Sequence, residues 1–303
     1  MWAIETLSLR KVYGRQVAVE NLTLQVGHGE VFGFLGPNGA GKTTAVKMLL
    51  GLVRPTSGQA RILGRPLEDL AVKERVGFLP EQFRFHEWLR VEEFLHFHGR
   101  LYGLRGARLT RRVQEVLELV GLADRANDQL RSFSKGMLQR VGLAQALINE
   151  PEVVFLDEPT SGLDPLGRRL VRDIIGRLRS QGVTVFLNSH LLSEVERVCD
   201  QVAILDRGRV VRQGSLGELL AAGTAVEMRV DGISPELLLD LRQLCHSFTA
   251  TDSTITATIG DIDQVPLIAE AVVRRGARLY SLTTRQESLE DLFVRSVEGD
   301  SGA

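Results

Sequence analysis

The chain has 303 residues, enough for one large domain and a smaller one, and its formal net charge is -1 at pH 7. This near-neutral charge provides no strong field for an anionic membrane or for nucleic acid, so we expect no nucleic-acid partner. No apolar run reaches the ~18 residues of a spanning helix, the N-terminus does not read as a secretory signal, and Cys199 and Cys245 lie too far apart for metal spacing.

The first functional pattern is a glycine-rich loop between a predicted strand (EVFGFLG, 30–36) and a predicted helix (TTAVKMLLGL, 43–52). GPNGAGKT at 36–43 matches the phosphate-binding pattern G-x-x-x-x-G-K-[ST] at every fixed position. Glycines let backbone N–H groups point at an anion, Lys42 reaches the outer phosphates and Thr43 holds magnesium. A chance glycine turn is the competing interpretation. The predicted nucleotide-binding residues here are Gly36, Pro37, Asn38, Gly39, Ala40, Gly41, Lys42, Thr43 and Thr44.

Residues from about 85 to 150 have a mostly helical pattern, which ends in a helix capped by Ser134. Aromatic residues are dense at the start of this region: Phe83, Phe85, Trp88, Phe94, Phe97 and Tyr102. We expect Phe94 and Phe97 in the core of this helical region. Some of Phe83, Phe85 and Trp88 are expected to line a groove for a partner helix.

VVFLDEP at 153–159 predicts a buried parallel strand whose C-terminal end opens on a ligand crevice. Adjacent side chains on a strand point to opposite faces, so we expect the two acids to have different roles. Asp157 is predicted to hold the magnesium shell and Glu158 to orient or deprotonate a water that attacks the terminal phosphate. A strand-end turn with two solvated acids is the alternative.

Strand and helix alternate from 151 to about 215, with a hairpin at 206–214 and a small-residue linker from 221. The pattern beyond the linker is β-α-β-β-α-β followed by one more helix, which predicts a ferredoxin-like arrangement. We therefore predict two domains, at 1–220 and 221–303. Apolar helix faces in the second domain are expected to contribute to dimerisation through Leu237, Leu238, Leu241 and Leu244.

Seven motifs, in order from Tyr13 to His190, resemble those of the nucleotide-binding subunit of an ATP-binding cassette (ABC) transporter. Besides the phosphate loop and VVFLDEP, they are Tyr13, Gln82 in FLPEQ, SFSKGMLQR at 132–140, Asp164 in SGLDP and His190 in LNSH. The implied fold is a P-loop NTPase of the α/β class: an ABC cassette with a mixed sheet core and a helical subdomain at about 85–150. The small C-terminal α+β domain is additional to it.

The resemblance also implies a role for each matching residue. Tyr13 stacks on adenine, Gln82 serves catalysis and magnesium, and His190 contacts the terminal phosphate. Ser134 and Gly136 contact the ATP of a partner subunit, and Asp164 belongs to the loop that crosses the dimer interface. Each residue also has an ordinary interpretation: Tyr13 as a surface aromatic, His190 as a structural histidine, and Asp164 as the cap of the following helix.

The signature stretch FSKGM departs from the family's commonest form, because Lys135 replaces a glycine and Met137 replaces a glutamine. This variant resembles single-cassette exporters for drugs, lipids and polysaccharides. The implied protein is an ATPase using ATP and Mg²⁺. It forms a head-to-tail homodimer that drives a separate integral membrane permease, at the cytoplasmic face of the membrane. The alternatives are an importer ATPase with a regulatory C-terminal domain and a soluble, non-transport ABC ATPase. The transported substrate is selected by the membrane subunit.

Overall fold

The computed structural model of the protein describes residues 2–82, 85–221, 224–286 and 288–298. Two compact units divide the chain, Met1–Gln213 and Gly214–Ala303. Among the described residues, no helix has both the length and the hydropathy needed to cross a membrane. Cys199 and Cys245 are both free and buried.

Within the described residues, ten strands form one mixed sheet with the order β5-β4-β1-β2-β10-β9-β3-β8-β7-β6. Their bounds are β1 (Ile4–Tyr13), β2 (Gln16–Val26), β3 (Val31–Leu35), β4 (Ser57–Ile62), β5 (Arg65–Pro66), β6 (Val76–Leu79), β7 (Val153–Asp157), β8 (Thr184–Asn188), β9 (Gln201–Asp206) and β10 (Arg209–Ser215). The segment β5-β4-β1-β2 is antiparallel, whereas β9, β3, β8, β7 and β6 run parallel. The carboxyl ends of these parallel strands therefore meet at one edge.

The parallel strands are buried because helices cover both faces of such a sheet. Every residue of β3, β7 and β8 is buried. The ring of Phe186 on β8 lies 5.5 Å from that of Phe32, 5.3 Å from that of Phe34 and 5.2 Å from that of Phe155. These aromatic rings pack against one another on the three strands that end at the candidate site.

Some helices pack on this sheet, and others pack on one another. Those before residue 214 are α1 (Lys42–Leu49), α2 (Leu70–Lys73), α3 (Val91–Leu101), α4 (Gly106–Leu119), α5 (Lys135–Leu147), α6 (Pro165–Ser180) and α7 (Leu192–Val198), with 3₁₀ turns at Ala123–Arg125 and Leu130–Ser132. The three helices α3, α4 and α5 contact one another, so the predicted helical region is present.

Phe94 on α3 is buried, as predicted, but the prediction for Phe97 was wrong because its side chain is 46% exposed. The buried stripe of α3 consists of Val91, Phe94, Leu95 and Gly99. Phe97 lies beside this stripe, and its ring contacts that of His98 edge-on at 5.3 Å. Phe83 lies outside the described residues.

The second unit contains α8 (Leu216–Ala221), β11 (Thr224–Asp231), α9 (Pro235–Leu244), β12 (Ser247–Ala250), β13 (Thr254–Ile259), α10 (Gln264–Arg274), β14 (Arg278–Gln286) and α11 (Leu289–Glu298). An antiparallel sheet has the order β12-β13-β11-β14. With two helices in its crossovers, this order and connection are ferredoxin-like.

The apolar leucines of α9 are mostly used inside this unit. Leu237 and Leu241 are fully buried in a cluster with Met228, Ile268 and Val272, and Leu244 packs against that cluster. The expectation that Leu237 and Leu241 offer a surface for dimerisation was therefore wrong. The helical period locates the apolar face, and within this unit that face covers the sheet.

Candidate functional site

The glycine-rich loop leaves β3 and enters α1 through positions that admit no side chain. A Cβ on Gly36 would lie 2.3 Å from the carbonyl oxygen of Leu205, and one on Gly41 would lie 2.2 Å from that of Ala18. Gly41 also has φ 104°, a left-handed value that favours glycine. The two fixed glycines of the pattern are thus required by backbone approach, and they direct the loop around the N-terminus of α1.

Lys42 is the first residue of α1, and its ammonium lies over the loop. Its Nζ donates hydrogen bonds to the carbonyl oxygens of Gly36 at 2.6 Å and Pro37 at 3.0 Å. Burial lowers the pKa of Lys42, while the nearby carboxylates of Glu158, Asp157 and Glu81 act in the opposite direction. On the same turn, Thr43 is exposed and Thr44 is half-buried.

Asp157 is the last residue of β7 and is buried. The Nδ2 of Asn188, at the end of the adjacent strand β8, donates a hydrogen bond to its Oδ1 at 2.5 Å. Burial raises the pKa of Asp157, and the charges of Glu81 and Glu158 add to that increase, while Asn188 and Lys42 oppose it. The carboxylate therefore occupies a position where a cation is favourable.

Glu158 follows the end of β7 in the left-handed region, with φ 52°. The two adjacent acids diverge through this backbone turn, since β7 already ends at Asp157. A non-glycine residue in this region is strained by about 1–2 kcal/mol. The N–H of Glu158 donates to the carbonyl of Asn188 at 2.8 Å, which ties the turn to β8.

The structure brings Glu158 together with His190, the last of the predicted residues. Glu158 Oε1 accepts a hydrogen bond from the backbone N–H of His190 at 2.9 Å, and Glu158 Oε2 lies 2.7 Å from His190 Nδ1. The side chain of Glu158 is 9% exposed and that of His190 is 62% exposed. A buried carboxylate is therefore held by a histidine that faces the surface of the site.

Sequence reasoning missed Gln139, which lies on α5 and is buried. Its Nε2 donates a hydrogen bond to the carbonyl oxygen of Glu158 at 3.1 Å. The available signal was a polar residue within a helix whose neighbouring residues Val141, Gly142 and Leu143 are all buried. A buried amide must find a partner, and its partner here is the backbone of the predicted catalytic residue.

A separate groove joins the start of α5 to the SGLDP loop. Ser134 caps α5 by accepting from the N–H of Met137 at 3.3 Å, and Asp164 caps α6 by accepting from the N–H of Gly167 at 2.7 Å. Lys135 lies against Gly162, where an added Cβ would come within 2.9 Å of its Cε. This groove is lined by Ser134, Lys135, Gly136, Met137, Arg140, Gly162, Leu163, Asp164, Leu166, Gly167 and Leu170.

Tyr13 and Gln82 are both exposed. Tyr13 ends β1, and the Nζ of Lys11 lies 4.8 Å from the centre of its ring. Gln82 borders a second groove together with Glu81, Lys135 and Gln139. Both side chains are thus available to a ligand.

A buried strand, a glycine-rich loop, a helix-initial lysine and two acids at the end of a nearby parallel strand define a P-loop nucleotide-binding ATPase. The family profile described as "ABC transporter" matches residues 19–161. An uncharacterized ABC transporter ATP-binding protein of Synechocystis sp. is 44% identical, over 97% of this chain and 84% of that protein. Nod factor export ATP-binding protein I of Cupriavidus metallidurans is 37% identical, over 96% of each chain.

A solved structure described as the ATP-binding subunit of an ABC transporter aligns with a TM-score of 0.67 at 34% identity, over 72% of this chain and 91% of that one. This chain belongs to the ATP-binding subunits of ABC transporters. It is accordingly an ATP-binding ATPase, and the predictions of an ABC cassette fold and of ATP hydrolysis are confirmed.

Proposed function

We propose that Lys42, Asp157, Glu158 and His190 form the hydrolytic centre of this ATPase, at the common edge of β3, β8 and β7. The proposal rests on the geometry at the strand ends, where Glu158 lies 2.7 Å from His190 and Asp157 is held by Asn188. Lys42 balances the charge of the outer phosphates. Glu158 orients a water for in-line attack and accepts its proton, and His190 contacts the terminal phosphate. Tyr13 stacks on adenine, and the loop residues 36–44 surround the phosphates.

Magnesium fits the donor set proposed for it. Thr43, Gln82 and Asp157 offer hydroxyl, amide and carboxylate oxygens, the hard ligands that Mg²⁺ prefers. Asn188 Oδ1, beside Asp157, is buried without a hydrogen-bond partner among the described residues, as expected next to a polar ligand. The described part of the chain holds no cluster of three or more His, Cys, Asp or Glu suited to a metal. A bound magnesium ion would supply positive charge against the phosphate groups.

The groove around Ser134 and Gly136 supports a head-to-tail homodimer, because the phosphate loop does not line it. Ser134 and Gly136 lie in the groove that also contains Asp164, and the residues that line it include none of 36–44. In the dimer, Ser134 and Gly136 of one subunit approach the ATP held by the phosphate loop of the other, where the N-terminus of α5 favours an anion. Asp164 lies at the crossing between subunits.

An apolar patch at the start of the helical region supports a membrane partner. Trp88 is 69% exposed, and the half-buried ring of Phe85 packs on Phe94 at 5.4 Å between centres. We propose that this patch receives a helix from an integral membrane permease, which places the subunit at the cytoplasmic face of the membrane. A patch of this kind is typical of a partner site.

Export is the proposed direction, because the Nod factor relative is named for export and FSKGM is typical of exporters. The ferredoxin-like order of the second unit keeps an importer ATPase with a regulatory domain as the second candidate. A soluble, non-transport ATPase is disfavoured by the exposed aromatic patch around Trp88.

The decisive experiment is Glu158→Gln, with the exposed Glu68→Gln as the matched control. Removing the water-orienting carboxylate should lower steady-state ATP turnover by about 10²–10⁴-fold while ATP binding persists. The variant should accumulate as an ATP-bound dimer in sedimentation, whereas the control should behave like the parent. Turnover near that of the parent would remove Glu158 from the proposed role.

A further inference from the structure

The backbone of Glu158 is held from three directions. Its N–H donates to the carbonyl of Asn188 at 2.8 Å, and its own carbonyl oxygen accepts from the N–H of Ser161 at 3.1 Å. The third contact comes from α5, where Gln139 Nε2 donates to the same carbonyl oxygen at 3.1 Å. Thus a strained, left-handed residue is braced by a strand, a turn and a helix.

The Gln139 contact is not needed to satisfy a buried carbonyl. A carbonyl oxygen has two lone pairs, and Ser161 already occupies one of them. Loss of the amide therefore leaves a paired acceptor and a small stability cost. What it removes is a directional restraint on the residue whose carboxylate meets His190 at 2.7 Å.

We infer that Gln139 is a positioning residue for Glu158 in ATP hydrolysis, an inference that rests on the proposed role of Glu158. Gln139 lies one turn into α5, about 6 Å along the axis from Lys135 at 1.5 Å per residue. The first turn of α5 borders the groove of Ser134 and Asp164. A single hydrogen bond thus connects the helix that faces this groove with the backbone of Glu158, the residue whose carboxylate serves the subunit's own nucleotide in the proposed function.

The test is Gln139→Met, which keeps the length and helical preference of the side chain but lacks a donor. We expect kcat for ATP hydrolysis to fall about 10-fold, since small misplacements of a catalytic group have effects of this size or larger. The KM for ATP should stay unchanged, because the phosphate loop is untouched. The matched control is Gln114→Met on α4, whose amide bonds Glu118 at the surface; its kcat should equal that of the parent.

A second variant, Gln139→Glu, keeps the size of the side chain but directs an acceptor oxygen at the Glu158 carbonyl, and it should lose more turnover than Gln139→Met. Parent-like kcat in both variants, with Glu158→Gln inactive, would overturn the inference. So would loss of folding, or a rise in KM that matches the fall in kcat, because Gln139 would then serve the fold or nucleotide binding. Parent-like turnover of Glu158→Gln would instead reject the proposed function itself.

Discussion

Gly33 lies in the middle of β3, where the sheet and α7 approach too closely for a side chain. An added Cβ would lie 2.8 Å from Val195 Cγ1, 3.0 Å from Val202 Cγ1 and 3.1 Å from Cys199 Sγ. All three distances are shorter than ordinary van der Waals contact, and the three atoms belong to buried side chains. Gly33→Ala therefore forces the central strand and the helix after His190 to move apart.

We expect Gly33→Ala to lower the free energy of unfolding by about 1–3 kcal/mol, the usual cost of overpacking a core. Urea denaturation without nucleotide measures this change. The matched control is Gly176→Ala on an exposed turn of α6, where an added Cβ meets nothing within 4 Å. That change should stabilise the protein by up to about 1 kcal/mol, because alanine is the better helix residue.

Val195→Ala removes the nearest of the three atoms and gives a second measurement. Alone it should cost about 1–3 kcal/mol through lost burial and a cavity. Combined with Gly33→Ala it should cost about 1 kcal/mol less than the sum of the single changes, because the new methyl occupies part of the space. Additive costs, or no loss of stability in Gly33→Ala, would refute the reasoning.

Two further predictions concern partners and domains. Trp88→Ala should weaken binding to the proposed membrane subunit by about 2 kcal/mol, as for a buried anchor, which co-purification detects, and it should leave ATP affinity unchanged; loss of folding would contradict a surface role. A chain that ends at Gln213 should bind ATP with the affinity of the full chain in a nucleotide titration, because Tyr13 to His190 all lie before that point. Failure to bind despite a folded state would contradict this division.

The sequence predicted those features that depend on local chemistry. The fixed glycines of the loop are required by approaching carbonyl groups, and Asp164 caps a helix as its position before Pro165 indicated. Strand ends could be located because a buried apolar run stops at Asp157. Such signals need no knowledge of distant residues, so the location of the candidate site was predicted from them, whereas the fold class was implied by the family resemblance of the seven motifs.

Features that depend on packing were not predictable in the same way. Gln139 contacts Glu158 across nineteen positions of sequence, and no local pattern indicates that partner. Phe97 and Leu237 were both misplaced, because helical periodicity gives the angle between side chains but not the element that covers them. The left-handed turn at Glu158 was also hidden, since glutamate is an unusual residue for that conformation.

The buried charge of Asp157 lowers the stability of the fold, whereas the same charge favours the proposed magnesium ion. The substitution Asp157→Asn separates these two effects. Burial raises the pKa of Asp157. Below the ordinary aspartate pKa this carboxyl is neutral in the folded and the unfolded chain, so the stability is fully present. As the pH rises through the raised pKa, the buried carboxyl loses its proton, and that part of the stability is lost. At neutral pH the parent therefore retains a buried charge that asparagine lacks, while an asparagine Oδ1 can still accept the hydrogen bond from Asn188.

Asp157→Asn should consequently be more stable than the parent without nucleotide, and the difference should grow as the pH rises from the ordinary aspartate pKa through the raised one. Thermal unfolding at several pH values measures it, with the exposed Glu68→Gln as a control that shows no such trend. The same variant should lose the magnesium-dependent part of its ATP affinity, since a neutral amide is a poorer ligand than a carboxylate. A difference in stability that shrinks as the pH rises would show that Lys42 and Asn188 more than offset the burial of this carboxylate.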